Sequence, residues 1–192
     1  MFPEHDMSGL YAPLQLKKKG KIMKRLLVAA LLSATSSMAM AADNACLSKK
    51  YDAYVDASMT WYQDLAKLTA EKYPELKEVS DWFLQGREHH FELNRAAVKY
   101  YLDNDPSKVA TERAVEAWLK LDQQDIKVLA SRSDELGKIA KTTYDDRQSK
   151  PHSQNYDFRS AFAELLSHPK QIDPALQRYN QAIAKAETIQ CQ

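Results

Sequence analysis

Glycine is scarce in this chain, with four in 192 residues, and there are only two cysteines. So little glycine, beside abundant Ala, Leu, Lys, Glu and Gln, disfavours tight-turn sheet folds and favours long helices. No glycine-rich phosphate loop and no Gly-x-Ser-x-Gly elbow occurs, which removes the usual signatures of nucleotide binding and serine hydrolysis. Neither Cys-x-x-Cys nor Cys-x-x-Cys-His is present, so a thioredoxin-type redox pair, a cysteine zinc site and covalently attached haem have no support. Glu-x-x-His is also missing, and a di-iron bundle needs two such pairs facing inward. The longest apolar run, Leu26 to Leu32, is far short of the roughly 20 residues that a membrane span requires.

That short run has a different meaning in its context. Lys24 and Arg25 precede it, small polar residues follow, and Ala39-Met40-Ala41 closes the pattern. A basic region, an apolar region and a small-x-small triplet in this order predict a cleaved signal peptide over residues 23–41, with Ala42 first in the exported chain. Residues 1–22 are expected to be a mistranslated leader. In a bacterial gene Lys19-Gly20 must be written AAR-GGN, a purine run placed two codons before Met23 as a ribosome-binding site would be. The expected location is the periplasm of a Gram-negative bacterium.

Residues 42–192 then form one domain of ordinary size. Six of the 27 basic and two of the 26 acidic residues precede Ala42, which leaves 21 against 24 and a net charge of −3. No basic patch points to nucleic acid and no polybasic stretch to a membrane surface. Both cysteines, Cys46 and Cys191, lie in this domain near its two ends. An oxidising compartment makes their disulfide the expected state.

The five prolines of the domain punctuate helical patterns. A first helix is predicted over 44–72, with Leu47, Tyr51, Tyr54, Ser58, Trp61, Leu65 and Leu68 along one stripe. A second spans 74–103, with Leu76, Val79, Phe83, Gly86, His90, Leu93, Ala97 and Tyr100. A third begins at 106 with Val115, Trp118, Asp122, Ile126, Leu129, Ser133, Leu136 and Ala140. It ends at Gly137 as a left-handed cap or continues to about residue 147. Residues 148–155 read as a polar loop. The last limb, 156–190, is broken at His168-Pro169 and Asp173-Pro174. Short connections require antiparallel neighbours, so the expected fold is an all-α, up-down-up-down antiparallel bundle with a proline-broken fourth limb. That limb returns Cys191 to Cys46.

Several stripe positions are polar or empty. Counting along antiparallel helices places Ser58, His90, Trp118 and Asp122 in one layer, with Gly86 opposite Trp61. One reading is structural: Trp61 fills the glycine gap and His90 is bonded to Asp122 or Ser58. The other is a ligand pocket between helices with aromatic walls and a titratable histidine. A haem held by Met59 and His90 is a further, more remote reading, and no metal ligand set is predicted. The expected function is binding rather than catalysis. The first partner to consider is an envelope protein or exported peptide, met by exposed tyrosines among Tyr51, Tyr54, Tyr62, Tyr73, Tyr100 and Tyr101, with Trp82. The second is a small molecule or cofactor in the His90 layer.

The precursor is expected to begin at Met23 and the exported form at Ala42. Amino-terminal sequencing checks both, and recovery of Met1 or Phe2 on the precursor would remove the leader reading.

Overall fold

The computed structural model describes the backbone of residues 22–191 and the side chains of residues 43–191. The expected leader lies outside the described residues apart from Ile22, as do the side chains of the expected signal segment. The chain divides between Ala39 and Met40 into two units. The described backbone of the first is helical from Ile22. The described side chains pack within the second.

Among the described residues there are six α-helices and no strand, in agreement with the all-α expectation. They are α1 (Ile22–Lys72), α2 (Lys77–Asn104), α3 (Gln123–Ala130), α4 (Glu135–Gln148), α5 (Asn155–Leu166) and α6 (Pro169–Glu187). No described helix is long and apolar enough to cross a membrane.

Helix α1 runs against α2 in the opposite direction. The Asn44 amide donates to the Leu102 carbonyl, Tyr54 meets Phe91, and Tyr62 meets Phe83, so later residues of α1 face earlier residues of α2. Helix α6 pairs with α1 in the same antiparallel sense through Arg178 to Asp64 at 2.7 Å and Lys50 to Glu187 at 2.9 Å. At the end of this pairing Cys46 and Cys191 form the expected disulfide, their Cα atoms 5.6 Å apart.

Helix α2 buries two faces. Phe91, Val98 and Leu102 pack with Tyr51, Val55, Val109, Val115 and Trp118. Leu93 and Ala97 pack with Ile126, Leu129, Leu136 and Ala140 of α3 and α4. A single stripe predicts only one of these faces.

The expected continuous third helix does not form. Residues 105–122 are a closed loop holding two short 3-10 turns, Pro106–Lys108 and Val115–Ala117. The Ala110 N–H donates to the Trp118 carbonyl at 2.9 Å, and the Val115 N–H to a Glu187 carboxylate oxygen at 2.7 Å. The loop buries Val109, Val115 and Trp118 in one cluster. On an α-helix, at about 100° per residue, Val109 and Val115 would point about 120° apart, so a helix could not bury all three on Tyr51.

Asp122 is the cap of α3 rather than a core residue. Its Oδ1 accepts from the Asp125 N–H at 2.8 Å, and Asp125 Oδ2 accepts from the Asp122 N–H at 3.0 Å, a reciprocal capping box. Gly137 does not end a helix either. It lies in the first turn of α4, where its N–H donates to the capping Asp134 at 3.0 Å. A Cβ there would stand 2.1 Å from the Arg132 carbonyl oxygen, so close approach of backbone demands glycine. Helix α4 then runs to Gln148, near the longer of the two predicted ends.

The last limb breaks once, at Ser167-His168 between α5 and α6. The expected second break is absent, because Pro174 lies inside α6. In the second turn of the helix, its missing N–H costs the Lys170 carbonyl its usual partner and leaves the rest of the helix intact.

The disulfide closes a sequence separation of 145 residues. Replacing both cysteines by serine is expected to lower unfolding free energy by roughly 4–5 kcal/mol, through the larger freedom of the unlinked unfolded chain. Urea denaturation measures this, and an unchanged midpoint would contradict it.

Candidate functional site

Helical spacing places Trp82, Gly86 and His90 four residues apart, in one row along α2. Helix α4 lies across from this row. The Thr143 hydroxyl donates to the His89 carbonyl at 2.9 Å, and Asp146 meets His89 Nδ1 at 2.7 Å. These two contacts tether α4 one residue to the side of the row. The result is a cleft of about 260 Å³ between the helices, lined by Trp82, Gly86, Arg87, His90, Asp146 and Arg147 among others. A Cβ built on Gly86 meets nothing within 4 Å, so the glycine opens onto free space.

His90 sits in the depth of this electrostatic setting. Burial, then the positive charges of Arg147 and Arg87, lower its pKa from the ordinary 6.5 to about 4. The ring is therefore neutral at physiological pH. Its Nδ1 lies 3.5 Å from Arg147 Nη2 and its Nε2 lies 3.3 Å from the Asn94 amide nitrogen. A guanidinium only donates, so Nδ1 is the acceptor and Nε2 carries the hydrogen. An Asn94 amide turned with its oxygen toward the ring satisfies that hydrogen. The Arg147 pKa is itself lowered, by burial and by Arg87.

The expected polar layer is not assembled. Gly86 and His90 share the cleft, whereas the other four residues lie elsewhere. Ser58 is buried near Tyr54 and Tyr179, whose phenols are pushed up in pKa by burial, an effect that hydrogen bonding to the Ser58 hydroxyl only partly offsets. Trp61 packs on Tyr179, with ring centres 5.7 Å apart, and does not fill the space at Gly86. Trp118 stacks on Tyr51 at 6.0 Å. Asp122 is occupied in its capping box and forms no hydrogen bond with His90. For Trp118 and Asp122 residue counting failed because it assumed that the third limb is helical from 106 onward, whereas Ser58 and Trp61 turn toward Tyr179 of α6.

The Met59–His90 pair also separates. Met59 lines a different cleft with Asp52, Val55, Phe91 and Arg95. There Arg95 is already engaged by Asp52 at 3.1 Å and Asp56 at 2.6 Å. Among the described residues, no three His, Cys, Asp or Glu side chains converge as metal ligands. The tyrosines considered for an outer face turn in large part toward the core. Tyr51 is 2% exposed, and Tyr54, Tyr62, Tyr73, Tyr100 and Tyr101 are partly buried against the apolar clusters. Of the aromatics considered for that face, Trp82 is the exposed one, at 37%.

Sequence reasoning missed Arg87, Thr143, Asp146 and Arg147. Arg87 was within reach, since it is one residue from Gly86. Arg147 lies 57 residues from His90 and reaches it only because α4 docks on α2.

A depressed histidine pKa has a defined consequence for stability. The unfolded chain takes up a proton near pH 6.5, and the folded chain only near pH 4. The His90 contribution is thus fully present above pH 6.5 and is lost as pH falls toward 4. His90→Gln should flatten the decline of stability in that window, and an NMR titration should place the His90 midpoint near 4. A midpoint near 6.5 would contradict the burial argument. Comparison with protein-family models, curated proteins and solved structures finds no match to this chain.

Proposed function

We propose that this is an exported, non-catalytic binding protein of the periplasm that holds a small molecule in the cleft between α2 and α4. Its helices are read as an up-down-up-down bundle, supported by the antiparallel pairings of α1 with α2 and with α6 and by the Cys46–Cys191 link. The disulfide suits an oxidising compartment. The signal-peptide pattern over residues 23–41 supports export.

One observation carries the ligand reading. Gly86 interrupts a long helix, at a cost of about 1 kcal/mol relative to alanine. Among the described residues, no side chain comes within 4 Å of the Cβ position this leaves empty. A neutral histidine, two guanidiniums and an indole face the same space. An apolar wall with a few convergent polar groups is the usual build of a small-molecule site. The runner-up, an envelope protein or exported peptide docked on an outer face, rested on tyrosines that are packed inward.

Two substitutions at Gly86 test the proposal. Gly86→Ala should raise stability by about 1 kcal/mol, the helix-propensity difference, because nothing obstructs the methyl group. Gly86→Phe should fold and yet fill the cleft. Native mass spectrometry of protein purified from its own periplasm should show a small bound mass on the wild type and none on Gly86→Phe. An identical bound mass on both would place the ligand elsewhere. A wild type free of small molecules that instead co-purifies with a stoichiometric protein would favour the runner-up.

A further inference from the structure

We propose that the α2–α4 cleft selects a small monocarboxylate with a flat apolar body, its carboxylate held between Arg87 and Arg147 and its body lying along Trp82 above Gly86. This rests on the ligand reading just given and adds the chemical class of the ligand.

Arg95, Arg132 and Arg178 each hold a carboxylate in an ion pair. Among the described residues, no ion pair joins Arg87 or Arg147 to any carboxylate. Asp146 is the one acidic residue lining the cleft, and its carboxylate is taken up by His89 Nδ1 at 2.7 Å. His90 is neutral. Two arginines against one aspartate leave the lining with a net charge of +1, which a single carboxylate balances.

The donors are also available. Arg147 makes only long contacts, at 3.5 Å to Gln123 and 3.5 Å to His90, and most of its five N–H groups are free. Arg87 is held by stacking rather than by hydrogen bonds, its guanidinium carbon 5.1 Å from the Tyr62 ring centre and 5.2 Å from that of Phe83. Stacking leaves the guanidinium edge free to donate. Both arginines line the same cleft as His90, and Arg147 Nη2 lies 3.5 Å from His90 Nδ1. Holding two unneutralised guanidiniums together is unfavourable, and an anion between them removes that cost.

Shape sets the rest of the ligand. The volume of about 260 Å³ lies just below the range of drug-sized pockets, so a single-ring compound fits and a large one does not. The Trp82 indole offers a flat apolar wall, and the absent side chain at Gly86 leaves room beside it.

Three probes of one shape separate the possibilities: phenylacetate, the neutral phenylacetamide, and the dianionic phenyl phosphate. Titration calorimetry on the full-length chain, with indole fluorescence as a second readout, should show phenylacetate binding at least tenfold more tightly than phenylacetamide and no more weakly than phenyl phosphate. Arg147→Gln and Arg87→Gln, each checked for folding by circular dichroism, should each weaken phenylacetate at least tenfold and leave phenylacetamide unchanged. Equal affinity for acid and amide, tighter binding of phenyl phosphate, or a folded arginine variant with undiminished phenylacetate affinity would each overturn the carboxylate assignment. So would no binding of any probe. The ligand reading falls separately, if the bound mass from the native periplasm is insensitive to Gly86→Phe.

Discussion

Burial of α2 on two faces is the constraint from which the rest follows. Phe91, Val98 and Leu102 turn toward α1, while Leu93 and Ala97 turn toward α3 and α4. On the side of α2 that faces α4, Gly86 and His90 continue the line of Leu93 and Ala97 toward the start of the helix, with Trp82 one turn earlier. The cleft lies between α2 and α4 where Gly86 supplies no side chain to fill the gap. Thr143 and Asp146 set the approach of α4 through His89, so the neighbouring His90 faces the gap instead of a helix.

The disulfide and the ion pairs between α1 and α6 anchor the other flank. Glu187 links three parts of the molecule there. It pairs with Lys50 of α1 and accepts from the Val115 N–H of the closed loop. Both contacts hold its carboxyl below the usual pKa, the Val115 hydrogen bond first and Lys50 next. The same loop brings Trp118 onto Tyr51. On this flank Lys50, Glu187 and Arg178 each have an ionic partner, whereas among the described residues Arg87 and Arg147 of the α2–α4 cleft have none. Contrast between the two regions, more than any one residue, is what supports the cleft as a candidate site.

Much of the fold was legible in the chain. The helical class follows from the three-four spacing of apolar residues and from the lack of glycine. The meeting of Cys46 and Cys191 follows from a limb that must return along the first. The break between α5 and α6 follows from His168-Pro169. The reading went wrong where a polar residue in an apolar phase was taken as a core residue. Asp122 lies in phase with Trp118 and Ile126, yet an aspartate three residues before Asp125 is also a capping box, and the backbone took that option. Gly137 was ambiguous for a similar reason, since both a helix end and a close backbone approach call for glycine.

The row Trp82, Gly86 and His90 was determined by sequence alone, because residues four apart share a helix face whatever surrounds them. So were the helical class and the pairing of the cysteines. Only the tertiary structure decided that Arg147, 57 residues away, would stand beside His90, that Met59 would not, and that Trp61 would leave the glycine gap open. Periodicity within a helix is a local property of 3.6 residues per turn, and the chain carries it directly. The height and rotation of one helix against another depend on how whole faces interlock. A closed loop where a helix was expected, over residues 105–122, is enough to shift every later residue relative to α2.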